Sequence, residues 1–141
     1  MGGYIKDSEH SGIMKKFSRA WKSSTQRRKQ RKYQKNAPLH IKQKFMAAHL
    51  SRDLRKKYKR RSVTLRKGYR VRIMRGQFKK QTGKIMSINL KESKANVEGI
   101  QQVKRDGTKS FYPIHPSNLQ IIELTTDDKQ TRIKLEGAQK K

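Results

Sequence analysis

The residues best equipped for chemistry in this 141-residue chain are its lysines and arginines, 38 in all against 10 aspartates and glutamates, for a formal net charge of +28. A guanidinium carries five donors in a planar fork that can grip a phosphate through two bonds at once or stack on a base. Arg27, Arg28, Arg31, Arg52, Arg55, Arg60, Arg61, Arg66, Arg70, Arg72 and Arg75 are therefore candidates for phosphate contact, with Lys32 in the densest run. Charge of this density calls for a polyanion; nucleic acid is the abundant candidate and a membrane surface the second. Trp21, Tyr33 and Tyr58 stand in basic surroundings, where aromatic rings can stack on splayed bases.

Other chemistries have little to work with. The chain has no cysteine, which removes disulfides, thiolate zinc sites and cysteine nucleophiles, and allows a reducing compartment. His10, His40, His49 and His115 show no short metal-ligand spacing, so no metal site and no cofactor are expected. The carboxylates are scattered, and the adjacent Asp127-Asp128 cannot flank a cleft as an acid/base pair. No GxxxxGK[ST] phosphate loop occurs. The expectation is a protein that is not an enzyme. No run of 18 apolar residues is present to span a membrane. The opening MGGYIKDSEHSGIMKKF lacks the apolar core of a secretory signal.

The elements that must hold these cations divide by composition. Residues 1–62 carry 20 basic and 3 acidic residues, residues 63–124 carry 13 and 4, and the last 17 carry 5 and 3. At 31% hydrophobic the whole length cannot share one core. The division expected is a basic N-terminal extension over 1–36, ordered only on RNA, a short helical segment over 37–62, a β module over 63–124 and a polar tail over 125–141. In the extension, Ile13, Phe17, Ala20 and Trp21 fall at helical spacing among lysines and an arginine. They read either as a basic amphipathic helix or as a tail whose aromatics dock on a partner. Arg27 to Lys32 is too repulsive to fold alone and suits phosphate binding, nuclear import or both. Ala37 to Lys59 reads as two short helices. Pro38 fits the first turn of one, with Ile41, Phe45 and Ala48 along a face, and Ser51 fits the N-cap of the next, with Asp53 in its first turn.

The middle of the chain reads as β structure. Arg70-Val71-Arg72-Ile73 alternates as a half-buried strand does, placing both arginines opposite Val71 and Ile73. Gly76 and Gly83 bracket a basic hairpin loop holding Lys79 and Lys80, and Gly83 opens a second strand through Ile85 and Ile88. A third strand is expected over Asn96–Ile100 and a fourth at Val103 with the Asp106-Gly107 turn. A closing segment from Phe111 through Ile114 to Leu119, Ile121 and Ile122 completes the module. Phe45 and Phe111 are expected in the core; Tyr69 and Tyr112 stay open. Several short strands in about 60 residues favour a small barrel over a sandwich.

These residues carry a resemblance. Lys67 to Ile100, KGYRVRIMRGQFKKQTGKIMSINLKESKANVEGI, is similar to a KOW element inside an SH3-like barrel: strand, Gly, basic loop, second Gly, further strand. Transcription elongation factors and several ribosomal proteins share that element. The flanks NAPLHIKQKFMAAHLSRDLRKKYKRRSVTLRKG and IHPSNLQI decide between them. Together they resemble the eukaryotic and archaeal type of a universal large-subunit ribosomal protein family, numbered twenty-four in the bacterial scheme and twenty-six in the eukaryotic. The likeness runs from about Arg27 to about Leu124. It implies a structural protein that binds rRNA near the polypeptide exit tunnel, helps early subunit assembly and catalyses nothing. Implied partners are large-subunit rRNA, neighbouring ribosomal proteins and factors docking at the tunnel exit, with no membrane insertion and no homo-oligomer. Implied location is the cytoplasmic ribosome after nuclear and nucleolar transit. On this resemblance Lys79, Lys80 and Lys84 project from the KOW loop toward backbone phosphates. His40 either bonds rRNA or caps its own helix, and His115 either fixes a turn or meets RNA.

The chain departs from the family in two places. Members usually carry Gly after the loop lysine, where this chain has Lys80. If that position needs positive φ, Lys80 is strained in return for one more phosphate contact; otherwise the Gly is dispensable here. Relatives also begin close to Met14, which makes Met1 to Ile13 an extension or Met14 the true start. Two other function classes compete with the ribosomal one: a KOW transcription or RNA-processing factor, and a membrane-active basic segment centred on Ile13 to Trp21.

Overall fold

Arginine, lysine and glutamine are good helix formers, and an unbroken run of them without a β-branched residue favours a helix. In the computed structural model, which describes residues 17, 18, 20, 23–125, 135 and 137, that run forms α1, Arg27–Asn36. The chain divides into two compact units, Met1–Ala37 and Pro38–Lys141. Helix α1 has no acidic residue in its first turn, no side-chain cap and no buried residue. The run expected to be too repulsive to fold alone takes a helical backbone, in which like-charge pairs cost only about 0.2–0.5 kcal/mol each on a solvated face. Before it, Phe17 packs its ring 4.9 Å from that of Tyr33. Phe17 and Ala20 lie in no helix, while Ile13, Trp21 and the Met1–Ile13 extension fall outside the described residues.

In the second unit, Pro38 stands one position earlier than expected, as the N-cap of α2, Leu39–Phe45. Ile41 is buried, but Phe45 stays 39% exposed, and Ala48 belongs to a strand, β1, Ala47–Leu50. The segment expected to be two helices therefore holds a strand between them. Half-buried Ala47 and His49 alternate with buried Ala48 and Leu50, the period of two of a strand. Ser51 then caps α3, Arg52–Tyr58, its hydroxyl accepting the Leu54 N–H at 3.4 Å, with Asp53 in the first turn. Strands β2, Ser62–Thr64, β3, Arg70–Ile73, and β4, Thr82–Asn89, follow. The third strand of the module is β5, Lys94–Val97, not Asn96–Ile100, because Gly99 turns the chain at φ +78°. β6, Gln101–Val103, and β7, Lys109–Phe111, form a separate hairpin around Gly107, and β8, Leu119–Glu123, ends the fold.

The main sheet runs β2-β1-β8-β3-β4-β5, with β1 and β8 parallel and the other neighbours antiparallel. It is mainly β, as expected, but the described strands do not close into a barrel. β6 and β7 pair with each other instead of bridging the sheet edges, and Ile114 reaches β5 through a lone bridge to Ala95. Pro113 and Pro116 flank that bridge and cannot donate to a longer ladder. β4 serves two partners by bending at a register shift between Ile85 and Ser87. Gly83 permits this: a Cβ there would collide with the Glu98 carbonyl oxygen and the Val97 side chain. One core results, with Leu50, Tyr69, Val71, Ile73, Val97, Leu119 and Ile121 at 0–1% exposure. Phe111, expected in that core, is 44% exposed on the free-standing hairpin.

Candidate nucleic-acid interface

β3 turns a two-residue period into a division of labour. Val71 and Ile73 are buried, and Arg70 and Arg72 are exposed on the opposite face, as the alternation predicts. Register extends that basic face across strands: Arg70 sits opposite Lys84 on β4 and Glu123 on β8, and Arg72 opposite Thr82 and Gln120. An exposed ion pair of 3.3 Å joins Arg70 to Glu123. Such a pair is worth little in water and leaves the other guanidinium nitrogens able to meet a phosphate.

The loop after β3 continues the basic surface. Ile73 brackets it, its carbonyl accepting the Lys80 N–H at 2.9 Å and its N–H donating to the Gln81 carbonyl at 2.9 Å. Met74 N–H donates to the Asn118 carbonyl at 2.8 Å, and Phe78 packs half-buried on the core with its ring 5.3 Å from Tyr112. Arg75, Lys79 and Lys80 project from this anchored loop into solvent. Lys80 adopts φ +75°, a left-handed conformation that disfavours every residue with a Cβ. The position does use positive φ, so the lysine stands in backbone strain of the kind that a glycine would relieve.

The other arginines singled out by sequence, with Lys32 and His40, are also exposed: Arg27, Arg28, Arg31 and Lys32 on α1, His40 on α2, Arg52 and Arg55 on α3, and Arg60, Arg61 and Arg66 around β2. Arg55 Nε also donates to the Leu50 carbonyl at 3.0 Å, closing the turn into α3. His115 caps the 3-10 turn Pro116–Asn118, with Nδ1 accepting the Ser117 N–H at 3.2 Å and lying 2.8 Å from Ser117 Oγ. Burial, and next the charge of Lys94, holds its pKa below the ordinary histidine value. Of the stacking candidates, Tyr33 packs on Phe17, and Tyr58 is half-buried with Lys57 Nζ 5.4 Å from its ring centre. Trp21 lies outside the described residues.

Sequence reasoning missed the Phe78–Tyr112 pair under the loop and the carboxylate of Glu123 beside Arg70. Neither had a local signal, because both depend on which distant segments meet. Among the described residues no three histidines or carboxylates gather as metal ligands, and no helix is long and apolar enough to cross a membrane.

The family described as the eukaryotic L26 and archaeal L24 ribosomal proteins matches residues 24–137. Large ribosomal subunit protein uL24 of Methanothrix thermoacetophila is 48% identical over 105 residues, covering 74% of this chain and 90% of that protein. The uL24 of Methanosphaera stadtmanae is 45% identical over 107 residues, covering 76% and 92%. The match takes in the strand, loop and flanks that first carried the resemblance, and this chain belongs to that family of eukaryotic L26 and archaeal L24 ribosomal proteins.

Proposed function

We propose that the chain is a structural constituent of the large ribosomal subunit that binds rRNA near the polypeptide exit tunnel and assists early subunit assembly. Neighbouring ribosomal proteins and factors docking at the tunnel exit are its further partners, and nuclear and nucleolar transit precedes its cytoplasmic residence. The observation that carries the RNA-binding part is the basic face of β3 and β4, where Arg70, Arg72 and Lys84 lie outward from one buried core and lead into the Arg75–Lys80 loop. Family membership supports the ribosomal setting. An SH3-like KOW architecture belongs to the same reading, supported by the bent β4 and the basic loop between β3 and β4.

Recognition on this reading is electrostatic and shape-based rather than catalytic. Each phosphate neutralised releases counterions, so the logarithm of affinity falls with log salt by about 0.7–0.9 per contact. The α1 run, the sheet face and the loop supply those contacts from separate elements. Arginines grip phosphate through two bonds while the lysines act as point charges. Catalysis has no part in it.

Sedimentation of tagged protein from lysate, in gradients at low and then high salt, tests the proposal. Co-migration with the large subunit that survives the high-salt wash is the expected result. Release at moderate salt, or migration with polymerase-sized complexes, would replace it with a loosely held KOW factor.

A further inference from the structure

Away from the β3–β4 face, the second unit has an open cleft of about 510 Å³ where α2, the β2–β3 connection and the far end of β4 meet. Buried Met46 and Leu65 line it, with half-buried Ile88 and Leu90. Exposed Gln43 and Lys67 line it too, and Arg66, buried Tyr69 and Thr125 complete the lining. Among the described residues no carboxylate lines it. The size lies within the about 300–1,000 Å³ of small-ligand clefts. Its chemistry is that of a nucleotide seat: an apolar wall for a base, an amide able both to donate and accept, and cations for the attached phosphate.

We propose that this cleft takes one unpaired RNA nucleotide, extruded from its helix, with the base against Ile88 and Leu90, its edge read by the Gln43 amide, and its phosphate held by Lys67. The assignment rests on the RNA-binding reading above. It adds a discriminating element to an otherwise sequence-blind surface, because base contacts specify where phosphate contacts only position. An acidic peptide would satisfy the cations but leave the apolar wall unused. Extrusion costs least at a bulge, where the base has no pairing partner to lose.

The experiment compares binding of the full chain to two RNA duplexes that differ by one bulged 2-aminopurine, and follows the fluorescence of that base. The wild-type protein should favour the bulged duplex on the order of tenfold, the scale of burying one apolar group, with a change in 2-aminopurine emission. Leu90→Ala and Gln43→Ala should each reduce that preference while leaving affinity for the fully paired duplex and its salt slope unchanged. Gln43 is exposed, so its variant tests the cleft even if Leu90→Ala weakens the fold. Equal binding to both duplexes, as expected if the chain's own tail fills the cleft, would overturn the nucleotide assignment and leave the RNA reading standing. A preference that persists in both variants would overturn it too. Absence of salt-sensitive binding to either duplex would remove both.

Discussion

Helix α1 and strand β3 both present arginines to solvent, but only one of them is built into a core. α1 offers Arg27, Arg28 and Arg31 from ten residues of which none is buried. β3 offers Arg70 and Arg72 from four residues whose other two, Val71 and Ile73, are 0% and 1% exposed. Charge on α1 is therefore separable from folding, whereas charge on β3 is held in place by the same strand that closes the core. Helices of this length are marginal in water without tertiary support, and α1 buries no residue that could supply it.

Ile73→Ala and charge reversal of Arg27, Arg28 and Arg31 to Glu set the two regions against each other. Truncating Ile73 removes buried methylenes between β4 and β8 and should cost about 2–5 kcal/mol in denaturant unfolding. The triple reversal should leave the midpoint of unfolding unchanged but lower the salt slope of RNA binding by about 2–3, the share of three phosphates. It should also block incorporation into subunits. Equal loss of stability from both would erase the contrast; normal incorporation of the reversed arm would make it a passenger.

What the sequence made legible follows the same division. Period-two alternation placed Arg70 and Arg72 on one face, and Ser51 announced its own helix, because both signals are local. Where the reading failed, the deciding contact was remote. Ala48 fits a helical face by spacing, yet Ala48 and Leu50 are drawn into a strand by β2 on one side and β8 on the other, a pairing no neighbouring residue encodes. Phe111 was placed inside by hydrophobicity alone, and the hairpin that carries it outward exists because β6 and β7 pair with each other rather than with the sheet. The exposure of the singled-out arginines and lysines was legible because it is the default for those residue types.

A smaller effect comes from Lys80, which sharpens the contrast inside the second unit. Its φ of +75° lies where an L residue is strained by about 1–2 kcal/mol and glycine is not. Lys80→Gly should leave the fold intact or raise stability by up to about 1 kcal/mol, since added unfolded-state freedom offsets part of the relief. Removing one cation should flatten the salt slope by about 0.7–0.9. A large loss of stability would mean that the lysine side chain holds the loop and that the strain argument is wrong.

The smallest expected effect lies at His115, where β8 begins and no RNA is needed to see it. The ring accepts the Ser117 N–H through Nδ1, which requires that nitrogen to be unprotonated. Burial first, and the positive charge of Lys94 second, push the native pKa below the ordinary 6.5. The unfolded chain therefore takes up the proton more readily, so the neutral ring's contribution is complete above about pH 6.5. It declines as pH falls from there through the lowered native value, and levels off beneath it. Thermal melts of the free protein between about pH 7 and pH 5 should show this decline. They should lose it in His115→Asn, whose side-chain oxygen can still accept the Ser117 N–H but does not titrate. Because burial is the larger cause, Lys94→Gln should leave part of the decline in place. Parallel curves for wild type and His115→Asn would assign the pH response to the carboxylates; complete loss in Lys94→Gln would reverse the order of the two causes and make the turn an electrostatic device.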